Sequence, residues 1–256
     1  MSKLKILCAA SALALTAGMA SAATVQVTGI TSQWVSWTGG SSVTASPVGA
    51  DPAELRWGTP SGQSKKSGYD FKAAETPFVA PEDVEFGLGD FTHLNFPINS
   101  GTGITSATLK VTFAFLLDGE EKTLDSLFKF DHWETPNNDK TCANGHPNNQ
   151  DVNINGCADR VKVSTLAGGE TIFIDDGDGN WREYAFDILG FKQNGQTVNT
   201  FWTTENQSNK ASLYARFTYA ENINTGPSPV PVPAAGFLLL GGLAALGAAA
   251  RRRKAA

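Results

Sequence analysis

Two of the three histidines of this 256-residue chain stand two positions from a polar partner, as His93-Leu94-Asn95 and His132-Trp133-Glu134. Residues two apart on a β-strand share a face, so each pair would present its side chains together. Thr92 and Leu94 would point the other way, and His132 falls in phase with Phe128 and Phe130. If the pairs converge, they make either a small metal or ligand site or a buried hydrogen-bonded network that fixes strand ends. A histidine in phase with phenylalanines favours the network. His93, Asn95, His132 and Glu134, with Thr92 grouped with them as the neighbour of His93 in the same segment, are expected to form a structural polar cluster, with ligand binding as the alternative.

A second set of oxygens lies in Asp175-Asp176-Gly177-Asp178-Gly179-Asn180, where Asp175, Asp176, Asp178 and Asn180 are candidate calcium ligands. Counting from Asp176, Asp187 falls twelfth, but Trp181 occupies the sixth position, where an EF-hand needs glycine. The EF-hand reading fails. A loose β-loop calcium site and an acidic hairpin turn between strands ending at Ile174 and starting at Trp181 both remain, with weak or no calcium binding expected. No other cofactor is implied.

Catalysis has little support. The chain has no G-x-S-x-G, and sequence places no two acids at a glycosidase separation. The six tryptophans, at 34, 37, 57, 133, 181 and 202, could stack on sugars, although tryptophans in a sandwich are usually core. All 25 acidic residues lie between Asp51 and Glu221, while Lys3, Lys5, Arg251, Arg252, Arg253 and Lys254 sit at the ends, leaving 14 bases against 25 acids and a middle of net −11. Phosphate backbones repel such a body, so nucleic acid is not an expected partner.

Short alternating strands must position these groups. Leu109, Val111, Phe113, Phe115 and Leu117 alternate with Lys110, Thr112, Ala114 and Leu116, the period of a half-buried strand. Similar patterns occur in Val84-Phe86-Leu88, Phe128-Phe130-His132, Tyr184-Phe186-Ile188 and Leu213-Ala215-Phe217-Tyr219. About a dozen such strands predict an all-β chain, a single two-sheet β-sandwich of jelly-roll type over 23–221, followed by a polar linker at 222–229.

The ends read as addresses. Residues 1–22 carry Lys3 and Lys5, an apolar run and Ala20-Ser21-Ala22, the pattern of a secretory signal peptide. Residues 230–256 open with Val230-Pro231-Val232-Pro233-Ala234, continue through an uncharged span of 17 residues from Ala234 to Ala250, and close on Arg251, Arg252, Arg253 and Lys254. That span predicts a minimal transmembrane helix with its basic end in the cytoplasm. After signal removal only Cys142 and Cys157 remain, and in an oxidising compartment they are expected to pair. Zinc with His146 as third ligand is the competitor, without a C-x-x-C element to support it.

The tail resembles a PEP-CTERM sorting signal of the VPLPA variant, with Val232 where leucine is usual. Thr92-His93-Leu94-Asn95 is similar to the motif of the THxN family, and Glu134-Thr135-Pro136-Asn137, Gly156-Cys157-Ala158-Asp159-Arg160-Val161 and Phe201-Trp202-Thr203-Thr204-Glu205-Asn206 are similar to segments of that family. Residues 54–71, with Arg56-Trp57-Gly58-Thr59-Pro60, resemble the extracellular choice-of-anchor K domain. The resemblance implies an exported bacterial surface or extracellular-matrix protein, not an enzyme. Its partners would be the export machinery, the inner membrane transiently, and an exosortase-like enzyme that processes the tail. A non-enzymatic adhesive or structural module is thus the leading expectation. A lectin-like module binding extracellular polysaccharide, with calcium assistance, is the alternative.

Overall fold

Strands begin two residues after the expected signal cleavage at Ala22. The computed structural model describes residues 24–117, 119–166, 172–175, 181–193 and 195–223. Fourteen strands run through them: β1 (Thr24–Gly39), β2 (Thr44–Ala45), β3 (Ala53–Trp57), β4 (Ser67–Ala73), β5 (Phe78–Pro81), β6 (Glu85–Asn95), β7 (Ile104–Leu117), β8 (Glu120–Trp133), β9 (Asp159–Thr165), β10 (Ile172–Asp175), β11 (Trp181–Gln193), β12 (Gln196–Val198), β13 (Thr200–Thr203) and β14 (Gln207–Ile223). Every segment of alternation named above lies in one of these strands, except that Val84 falls just before β6. β14 reaches Ile223, inside the expected linker.

The chain divides into two compact units, one within Met1–Glu170 and Phe186–Thr218, the other within Thr171–Ala185 and Tyr219–Ala256. In the first, two sheets form a β-sandwich, ordered β13-β9-β8-β7-β1-β5 and β11-β14-β6-β4-β3-β2, with β12 beside β11. Their inner faces meet through aromatic rings. Phe91 of β6 stacks on Phe130 of β8 at 5.1 Å, and Trp34 of β1 packs on Tyr69 of β4 at 5.4 Å. Leu109, Val111 and Phe113 of β7 are fully buried, while Lys110 and Thr112 between them are half-buried. Each such apolar side chain contributes about 1.5–3 kcal/mol relative to exposure. Alternation thus becomes a face of the core.

The connectivity is mixed. β2, β3 and β4 are consecutive neighbours, as are β7, β8 and β9, so both stretches are meanders. Between them the chain passes from sheet to sheet through β4, β5, β6 and β7.

In the second unit β10 runs antiparallel to the opening residues of β11, with Ile172 opposite Tyr184 and Asp175 opposite Trp181. The two strands that flank the acidic run are therefore paired, and Asp175 is already in strand. The candidate calcium ligands Asp176, Asp178 and Asn180 lie outside the described residues, as do the signal segment 1–22 and the tail with Val230, Pro231, Val232, Pro233, Ala234, Arg251, Arg252 and Arg253. Among the described residues no helix is long and apolar enough to cross a membrane.

Candidate functional site

The antiparallel registers of the first unit bring several strand ends to one end of the sandwich. β6 ends with His93 and Asn95, and β4 sets Tyr69 directly opposite His93. β3 closes on Trp57, whose ring lies 4.7 Å from that of Tyr69. From the other sheet, β8 ends at His132 and Trp133, just before Glu134, while β9 starts at Asp159, opposite Thr203 at the end of β13. His93, Asn95, Asp159, Thr203 and Glu205 are all buried.

Hydrogen bonds cross between the sheets at this end. Tyr69 Oη lies 2.7 Å from His132 Nδ1, and His93 Nδ1 lies 2.8 Å from Thr203 Oγ1. The Thr203 hydroxyl donates to the Asp159 carbonyl oxygen at 3.2 Å. Its one proton is then spent, so His93 Nδ1–H is the donor to Thr203, and His93 Nε2 carries the lone pair. Asn95 Nδ2 donates to the Thr203 carbonyl at 3.2 Å and to Glu205 Oε1 at 3.1 Å. The Thr135 amide donates to Asp159 Oδ1 at 2.7 Å, and His132 Nε2 lies 3.2 Å from Glu134 Oε1.

Local backbone features aim the acids. Asn206 adopts φ 57°, a left-handed turn, and Asn209 clamps that turn by accepting from the Thr204 amide and donating to the Thr204 carbonyl. Glu205 is held between them. A side chain at Gly103 would put its Cβ 2.9 Å from Glu134 Cγ, so glycine is what lets Glu134 lie against that backbone. Gly156 has φ +127°, open to glycine and closed to most other residues, and a Cβ there would meet Asn137 Oδ1 at 2.8 Å. Glu134 and Asn137 also line a groove of about 520 Å³ with Ile98, Asn99 and Thr135.

Burial separates the behaviour of the three acids. It pushes Asp159 well above the ordinary carboxylate range, and repulsion from Glu134 and Glu205 adds to this. It likewise pushes Glu205 up to about 7, against the hydrogen bond from Asn95 and helped by repulsion from Glu134. For Glu134 burial acts in the same direction, but the hydrogen bond and charge of His132 outweigh it and hold the group below its ordinary value. Burial, with the charge of His132, pushes His93 well below its ordinary value, so it stays neutral. At neutral pH the cluster therefore combines an ionised carboxylate, a protonated carboxyl and a neutral imidazole, an arrangement able to hold a proton or a cation.

Each pair shares a face as its phasing predicts, and the fold brings the two pairs together, the rings of His93 and His132 lying 5.0 Å apart. Thr92 does not join them: it lies on the opposite face of β6, in a surface depression with Asp70, Lys72 and Lys210, because successive strand residues alternate sides. Cys142 and Cys157 form a disulfide with Cα atoms 5.2 Å apart, which removes both sulfurs from the zinc alternative. The bridge adjoins the cluster, since the Thr135 hydroxyl donates to the Cys157 and Ala158 carbonyls at 3.1 Å.

Asp159, Thr203, Glu205, Tyr69 and Trp57 escaped prediction as site residues. A signal existed for some of them. Asp159 occupies the inward phase of Asp159-Arg160-Val161-Lys162-Val163, and Thr203 that of Phe201-Trp202-Thr203; polar residues in an apolar phase need buried partners. No protein-family model matches the chain, and a search of curated proteins found no match.

Proposed function

We propose that the chain is an exported, non-enzymatic surface or extracellular-matrix module of bacteria, an adhesive or structural sandwich delivered by its C-terminal tail. The observation that carries this reading is how the cluster's polar groups are used. They link one sheet to the other, and of the three acids only Glu134, its side chain 35% exposed, faces solvent appreciably. General acid–base work needs groups within hydrogen-bond reach of the substrate, and Asp159, fully buried, has no such reach.

The Cys142–Cys157 bridge supports an oxidising destination. The signal-like segment and the PEP-CTERM-like tail supply the route. Export machinery passes the chain outward until the basic end stops it in the inner membrane, and an exosortase-like enzyme then cuts near Pro233. Replacing Arg251, Arg252, Arg253 and Lys254 with neutral residues is expected to impair both retention and cutting. Mass spectrometry of the protein at its final location checks this, and intact tail peptides there would overturn the processing step.

A second reading, carbohydrate binding, is favoured by one surface feature. Trp133, Arg160 and Trp202 occupy directly opposed positions on β8, β9 and β13, with Arg160 opposite both tryptophans. All three take the outward phase of their strands, and the Arg160 guanidinium lies 4.8 Å from the Trp133 ring centroid. Such a row can stack on sugar rings. Trp34 and Trp57 are buried and add nothing to it; Trp37 is 39% exposed, but it lies on β1 opposite Ala107 and so takes the other face of the sheet from this row. Trp133→Ala is expected to weaken binding to the cells' own exopolysaccharide about tenfold, measured by affinity electrophoresis. Wild-type protein with no retardation would end this reading and leave the structural one.

A further inference from the structure

We infer that His132, Glu134 and Asp159 bind a divalent transition cation of the zinc type, which ties the two strand ends β8 and β9 together beside the groove. Each residue offers one ligand atom, and these atoms all lie within 4.8 Å of one another. Two ligands about 2.0–2.1 Å from a tetrahedral Zn²⁺ stand roughly 3.3 Å apart, close to the 3.2 Å between His132 Nε2 and Glu134 Oε1.

Two further observations point to a ligand rather than to a closed network. Asp159 is fully buried, its Oδ1 is taken by the Thr135 amide, and its Oδ2 receives no hydrogen bond from a donor among the described residues, its neighbours there being the carboxyl groups of Glu134 and Glu205. Buried carboxylate oxygens are nearly always satisfied, and a cation would satisfy this one. His132 is also set up as a ligating histidine: its Nδ1 is engaged by the buried Tyr69 hydroxyl, which leaves Nε2 toward the acids. A partner on the second ring nitrogen fixes the orientation of a metal-bound imidazole. Tyr69 is then a positioning residue.

The donor set selects the ion. Calcium takes six to eight oxygens and does not favour imidazole, whereas one nitrogen and two carboxylates suit Zn²⁺ and, more weakly, Mn²⁺. Glu134 also lines the groove of about 520 Å³, which provides access from solvent.

The test is calorimetric titration of the chelator-stripped full chain with Zn²⁺, Mn²⁺ and Ca²⁺ separately. One equivalent of Zn²⁺ should bind, more tightly than Mn²⁺, with Ca²⁺ weakest, and Zn²⁺ should raise the melting temperature. Glu134→Gln and Asp159→Asn should each weaken Zn²⁺ binding more than tenfold. Tyr69→Phe should weaken it about tenfold, and should also change the visible spectrum of the Co²⁺ form, which a purely structural role would leave alone. Should Asp159→Asn fail to fold, the partly exposed Glu134→Gln decides. Absence of stoichiometric Zn²⁺ binding, tighter Ca²⁺ than Zn²⁺ binding, or Zn²⁺ binding unchanged in Glu134→Gln would overturn the site.

Discussion

Above pH 7.5, Glu205→Gln should make the metal-free chain more stable, although it removes a group that accepts a hydrogen bond from Asn95. The folded state holds the Glu205 proton up to about pH 7, against an ordinary value of 4.5. A raised folded pKa contributes stability that is complete below pH 4.5 and is lost as pH rises through 7. A shift of this size is worth on the order of 3 kcal/mol. Glutamine keeps an acceptor for Asn95 and never ionises. The variant should therefore match the wild type near pH 4.5 and exceed it progressively toward pH 8, by about 6–12 °C in melting temperature for a chain of this size.

Other groups act in the same window and must be set apart. Asp159 is raised as well and has the same sign. His93 opposes it: burial keeps the folded form neutral, so the unfolded chain gains a proton as pH falls below 6.5 and the fold loses stability there. Glu134, held below its ordinary value, contributes stability that disappears only at lower pH still. Comparing variant with wild type at each pH isolates the Glu205 part. Calorimetric melts from pH 4.5 to 8 in the presence of chelator check it, and parallel curves for the two proteins would refute the assignment.

Opening the Cys142–Cys157 bridge should have an effect of similar size and opposite sign. The cysteines are 15 positions apart, and closing a loop of that length restricts the unfolded chain by about 3 kcal/mol in the chain-entropy model. Both cysteines are buried, so alanine is the suitable replacement at each. The loop keeps internal bonds of its own: Asn153 exchanges amide hydrogen bonds with Asn144, its Nδ2 donates to the Pro147 carbonyl, and its Oδ1 accepts from the Ala158 amide. These hold the folded loop but leave the unfolded one unrestrained.

Cys142→Ala with Cys157→Ala should thus lower the melting temperature by about 6–12 °C. Hydrogen exchange should rise first across 142–158. The effect should reach the cluster, since the Thr135 hydroxyl bonds the Cys157 and Ala158 carbonyls and Asn155 donates to the Glu205 carbonyl. An unchanged melting temperature in the double variant, or in wild type under reductant, would show that the loop needs no covalent closure.

The strands were legible because burying one face of a sheet imposes a period of two on the residues themselves. Leu109 to Leu117 carries that period openly, and so do the phases that put His93 with Asn95 and His132 with Glu134. Local patterning says which side of a strand a residue takes. It also allowed an outward Thr92 to be grouped with His93 only because the two are adjacent in a motif, a grouping that the pleat itself forbids. The cysteine pair needed only the expectation of an oxidising compartment and of a signal-like segment whose removal would leave no other thiol.

Which strands meet is a different matter. His93 reaches Thr203 across 110 positions and Tyr69 reaches His132 across 63, and no periodicity encodes such distances. Antiparallel register, set by the burial of whole faces, carried Asp159 and Glu205 to the end of the sandwich where Glu134 already stood. Their protonation follows from that meeting: a carboxyl in water is an ordinary acid, and the same group beside two others in a space closed to solvent keeps its proton. The sequence by itself therefore determined the all-β character, the faces of the strands that carry the period openly, and the bridge. Only the tertiary structure decided that three acids share one buried site, because burial and charge proximity come from the packing of strands distant in the chain.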